Sequence, residues 1–91
     1  MVLPWISSVQ YLRIAHDDEH FVLVGLSRDY IQCLLLVNYK RKQIVAMRQI
    51  LNSLAFKIKD IDFYPNSTQR FVTSGVQHLN FWRLNGRNLQ Y

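Results

Sequence analysis

The stretch His16-Asp17-Asp18-Glu19-His20 holds the side chains most suggestive of chemistry. It satisfies H-x-x-E-H, the spacing by which inverted zinc peptidases combine two metal-binding histidines with a carboxylate base. That chemistry needs both histidines on one face of a helix. Here the stretch lies between two strand-like runs, so it reads as an acidic, solvated hairpin turn. Ser74 and His78 are close in sequence, but the context supplies no acid to complete a nucleophilic triad. The glycines are Gly25, Gly75 and Gly86, which form no phosphate-binding loop. Cys33 is the single cysteine, so neither an internal disulfide nor a multi-cysteine zinc site can form, and a reducing compartment fits best. The chain is expected to be no enzyme and to use no metal or cofactor.

Charge points to partners instead. The 91 residues carry a formal charge of +5, with 49% hydrophobic content. That content supports one small packed domain, and the charge suits an acidic partner: nucleic acid, an anionic lipid surface or an acidic protein. The densest positive cluster is Lys40-Arg41-Lys42, beside Tyr39. As a hairpin turn it either shields a sheet edge in solvent or meets an acidic surface. A nucleic-acid site would interleave more aromatic and basic residues on one face, so that partner is not expected. The opening residues lack a basic signal-peptide start, and no run approaches the roughly 20 apolar residues of a membrane helix. A soluble, intracellular protein without membrane contact is expected. Asn66-Ser67-Thr68 matches a glycosylation acceptor but reads as a polar turn after Pro65.

The elements that would position these residues come in two sets. Phe-Val-x-x-Gly occurs at Phe21 and again at Phe71, 50 residues later. Each copy follows an alternating run, from Val9 and from Lys57, and precedes a second apolar run, from Ile31 and from His78. After the basic break at residues 39–42, Gln43 to Ile50 reads as a fourth strand. Asn85-Gly86 signals a turn into a matching fourth strand at residues 88–91. Four short strands at a 40–50-residue period mark propeller blades. Residues 42–58 also suit a helix, with Ile44, Met47, Leu51 and Leu54 at helical spacing. The repeat favours a strand followed by a loop.

The second half resembles a WD-repeat blade. It is closest to the echinoderm microtubule-associated protein-like family, with similarity also to ciliary WD-repeat proteins and kinase-scaffold WD proteins. The resemblance rests on Val72, Thr73, Gly75, His78, Phe81, Trp82, Leu84 and Gly86. In the first half Leu36-Val37-Asn38-Tyr39 stands where Val-Trp-Asp-Trp is usual. The aspartate expected after the tryptophan is Arg83, and Val76-Gln77 occupy the turn where another aspartate is usual. The resemblance implies an all-β fold of two four-stranded WD-repeat blades, residues 6–52 and 53–91, the second with an incomplete fourth strand. Two blades cannot close a ring, so the chain reads as a fragment of a larger β-propeller.

The blade-core residues are then Phe21, Gly25, Phe63, Phe71, Gly75, His78, Phe81 and Trp82. Trp82 should bury a large area and find a loop carbonyl for its indole N–H. Gly75 should permit turn geometry, and His78 should bridge strands. By resemblance the function is non-enzymatic scaffolding in a microtubule-associated or axonemal assembly, in the cytoplasm, cytoskeleton or cilium. Tubulin or axonemal proteins and the remaining propeller blades would be the partners, and Lys40, Arg41 and Lys42 the contact to an acidic one. Two alternatives stay open: a kinase-signalling WD scaffold binding peptides, and a small basic nucleic-acid-binding β-domain.

Overall fold

The computed structural model describes residues 3, 5–50, 57–76 and 78–91. Eight strands make two antiparallel sheets, and no helix occurs among the described residues. The first sheet runs β1 (Ser8–Ile14), β2 (His20–Leu26), β3 (Gln32–Asn38), β4 (Gln43–Ile50). The second runs β5 (Ile58–Phe63), β6 (Arg70–Gly75), β7 (His78–Asn85), β8 (Asn88–Gln90). In each, neighbours in sequence are neighbours in space. Residues 51–56 and Gln77 lie outside the described set, and with them the expected boundary between the halves and part of the β6–β7 turn.

The register shows how deep the repeat goes. Phe21 pairs with Ile14 and Val37, and Phe71 with Phe63 and Trp82. Gly25 pairs with Val9 and Cys33, and Gly75 with Ile58 and His78. Both first strands carry a bulge at the same place, between Val9 and Tyr11 and between Ile58 and Asp60. Val37 thus stands where the second sheet has Trp82, and Asn38 where it has Arg83. Residues 43–50 are strand, because pairing with β3 overrides the local helix-forming tendency of Ala46, Met47, Arg48 and Gln49.

The two sheets stack with β1 and β2 over β5, and β4 over β8. Equivalent strands therefore lie over one another at both edges, an arrangement that fits a fragment of a propeller-like all-β fold. Strand β3 is buried on both faces, which explains its continuous apolar run. One face, with Val22, Val24, Leu34, Leu36 and Ala46, shares a core with Ile58, Ile61, Phe63, Phe71, Trp82 and Leu89 of the second sheet. The other, with Leu23, Cys33, Leu35 and Val37, is covered by Leu3 and Ile6.

Trp82 is the largest fully buried side chain. It stacks on Phe71 with ring centroids 6.1 Å apart, and Phe71 meets Phe63 edge-on at 6.2 Å. The indole N–H donates to Thr73 Oγ1 at 2.9 Å, not to a loop carbonyl. Thr73 is one strand away on the same face, so the second sheet satisfies its own buried donor. The need for Gly75 is likewise steric and not a matter of turn dihedrals. A Cβ there would run into the Lys57 carbonyl and the His78 ring, and the positive-φ glycine is Gly86. Trp82→Ala should cost roughly 3–5 kcal/mol in urea unfolding, as large aromatic truncations do. The exposed control Arg41→Ala should stay within about 0.5 kcal/mol. Equal losses for the two would contradict the core assignment.

Candidate functional site

Polar contacts at both edges fix how one sheet sits on the other. Gln32 opens β3 with only 1% of its surface exposed. Its carboxamide accepts from the Ile58 N–H at 2.8 Å and donates to the Ile58 carbonyl at 3.1 Å. The same amide nitrogen donates to Gln10 Oε1 at 2.8 Å. Ile58 begins edge strand β5, where a buried amide has no neighbouring strand on its outer side. Gln32 stands in for that strand. Nearby, Arg13 of the first sheet meets Asp60 of the second at 3.1 Å, with both side chains about half exposed.

The far edge is held by Arg48. Its guanidinium donates to the Leu89 carbonyl at 2.9 Å and lies 5.3 Å from the Trp82 ring and 5.1 Å from the Tyr91 ring. A cation held against two aromatic faces is stabilising and keeps its charge at the rim. None of Gln10, Gln32, Arg13, Asp60 or Arg48 was singled out from the sequence. One signal was present: the pattern apolar-Gln-x-Leu occurs twice in the sequence, at Ile31-Gln32-Cys33-Leu34 and at Val76-Gln77-His78-Leu79.

The expected core residues divide between two faces. Phe71 and Trp82 are buried and Phe63 nearly so, while Phe21 is partly buried beside Tyr39, with ring centroids 6.0 Å apart. Gly25 is packed against Ile6, and His78 lies over Gly75. Phe81 differs: it is 56% exposed, because strand alternation turns it away from the face that holds Trp82. It joins Val72, Ser74 and Leu79 on the outer face of the second sheet, with Tyr64 edge-on at 6.2 Å. Arg70 and Arg83 stand directly opposite each other at one end of that face, and no ion pair among the described residues engages either.

The basic hairpin projects as expected. Lys40, Arg41 and Lys42 are exposed, and the Asn38 side chain accepts from the Arg41 N–H at 3.0 Å to close the turn. Lys42 takes a left-handed φ of 53°. Residues 16–19 form a turn and not a helix, and His20 opens β2. Asp17 accepts from the amides of Glu19 and His20 at 2.9 and 3.1 Å, and from the His20 ring at 2.6 Å. Asp17, Glu19 and His20 bring ligand atoms within 4.8 Å of one another, a set that leaves out His16. These hydrogen bonds account for the turn. Trp5, Ile6, Ile31, Cys33 and Met47 line a cleft beside the first sheet. Burial pushes the Cys33 thiol up, away from reactivity.

Comparison of the chain with protein-family models, with curated proteins and with solved structures found no match. The second sheet presents an apolar outer face flanked by charge, and the neighbouring sheet carries a basic hairpin at one end.

Two variants test this description. Gln32→Leu leaves the Ile58 N–H and C=O buried without partners and should cost about 2–4 kcal/mol in urea unfolding. Gln10→Ala, which removes a peripheral acceptor, should cost about 1 kcal/mol or less. Equal stability of Gln32→Leu and wild type would refute the clamp. At Asp17, partial burial raises the carboxyl pKa, but the hydrogen bonds from Glu19 and His20 outweigh it and hold the group below the usual carboxylate range. A depressed folded-state pKa gives stability that is present above the unfolded value and lost as pH falls through the folded one. Asp17→Asn should therefore be less stable than wild type at neutral pH. The gap should close in acid once the wild-type carboxyl is protonated; a gap of constant size would argue against this origin.

Proposed function

We propose that the chain is a non-enzymatic scaffold segment: two WD-type blades of a larger propeller that bind proteins within a microtubule-associated or axonemal assembly. The observation that carries this reading is the repeat in three dimensions. Two sheets share strand order, the bulge in the first strand and the Phe and Gly positions of the second, and they stack with β1 and β2 over β5 and β4 over β8. Such units bury their faces against neighbours and leave loops and hairpins free for partners.

The basic hairpin is the partner-facing element of this reading. Lys40, Arg41 and Lys42 are exposed at a turn whose backbone is fixed by Asn38, and no ion pair among the described residues neutralises them. An acidic protein surface such as tubulin complements them. Exposed ion pairs contribute only about 0–1 kcal/mol each, so the hairpin adds to other contacts and does not bind tightly alone.

Microtubule co-pelleting of the chain, wild type against Lys40→Glu/Arg41→Glu/Lys42→Glu, tests the proposal. Binding should fall in the variant, and fall more at low salt, since screening acts over about 8 Å at physiological ionic strength. Identical pelleting of both proteins at every salt concentration would remove the hairpin from the mechanism. No pelleting of either would remove the microtubule.

A further inference from the structure

The repeat allows one sheet to be read against the other, residue by residue. In the first sheet, Val22, Val24, Leu34 and Leu36 are buried by the second sheet, each at no more than 1% exposure. Their equivalents by register are Val72, Ser74, Leu79 and Phe81. These lie on the outer face of the second sheet, where Leu79 is 57% and Phe81 56% exposed. A face that is core in one repeat is open in the next. The opposite end of the stack differs, because Leu3 and Ile6 already cover the outer face of the first sheet.

The same comparison reveals a charge key. Arg13, paired with Val22, reaches Asp60 of the next sheet. The equivalent of Arg13 is Asp62, paired with Val72. The sign is reversed, so a sheet with an aspartate at the Asp60 position would set acid against acid. We propose that the outer face formed by Val72, Ser74, Leu79 and Phe81 docks a third four-stranded antiparallel sheet, one that carries a cation where the second sheet carries Asp60. The Arg70–Arg83 pair adds a second condition. Two guanidinium groups directly opposite each other repel, and a carboxylate on the incoming sheet relieves them. The face thus selects its neighbour by charge and disfavours a plain repetition of itself. This rests on the blade-stack reading above, and not on the microtubule.

A tandem chain tests the proposal: residues 1–91 followed by a second copy of residues 51–91, which supplies the third sheet through the native connection. Two forms are compared, one with Asp60→Lys in the appended copy and one without. The Asp60→Lys form should unfold in one transition, with Tm at least about 5 °C above that of the 91-residue chain. The unchanged form should gain less. Phe81→Asp in the middle sheet should abolish the gain while shifting the 91-residue chain little, since Phe81 is exposed there. The proposal is overturned if Asp60→Lys makes no difference, or if Phe81→Asp shifts tandem and single chains equally. It is overturned too if sedimentation finds the 91-residue chain already a dimer that Phe81→Asp dissolves, which would give the face to a second copy. Co-pelleting reads a different surface, so the two experiments fail independently.

Discussion

A side-chain amide that acts as a piece of backbone holds this structure in register. Gln32 offers Ile58 one donor and one acceptor, as a neighbouring strand would. The apolar residues around it could slide with modest loss, because hydrophobic contact has no direction. The amide cannot slide, since a buried N–H or C=O left without a partner is costly. Gln10 then fixes the orientation of the Gln32 carboxamide from the side. With that point set, Val22, Val24, Leu34 and Leu36 meet Ile58, Ile61, Phe71 and Trp82, and Arg48 arrives over Trp82 and Tyr91.

The two sheets share a plan and differ in how they fill it. The position opposite the Phe of each repeat is Val37 in one and Trp82 in the other. The first sheet is a run of aliphatic side chains buried on both faces. The second has one aromatic face, built on Phe63, Phe71 and Trp82, and one open face. Lys40, Arg41 and Lys42 lie at a hairpin, and Arg13 and Asp60 on edge strands, where water can still reach them.

Much of the fold was legible in the sequence because it is periodic. Phe-Val-x-x-Gly marked β2 and β6, apolar runs marked β3 and β7, and Gln43 to Ile50 came out as a strand once the repeat was weighed against local propensity. What escaped was the chemistry between the sheets. Phe81 and Trp82 are adjacent, and only the pairing of β6 with β7 reveals which one faces the core. Trp82 finds its acceptor in Thr73, and Gly75 its purpose in the Lys57 carbonyl and His78, because strands distant along the chain converge there. Gln32 looked like an ordinary polar residue at a strand start. Its role depends on a neighbour 26 positions away, on the other sheet.

The meander order of both sheets has a consequence for the path by which the chain folds. Every strand pair joins sequence neighbours, so each sheet closes through short hairpins at little cost in loop entropy. Among the described residues, the polar side-chain contacts that join the two sheets are Gln32 to Ile58, Arg13 to Asp60, and Arg48 to Leu89. Loop entropy therefore favours hairpin pairing within each sheet over docking of one sheet on the other. During synthesis the residues of the first sheet emerge before those of the second. The face of Val22, Val24, Leu34 and Leu36 has its cover only once the second sheet has docked on it.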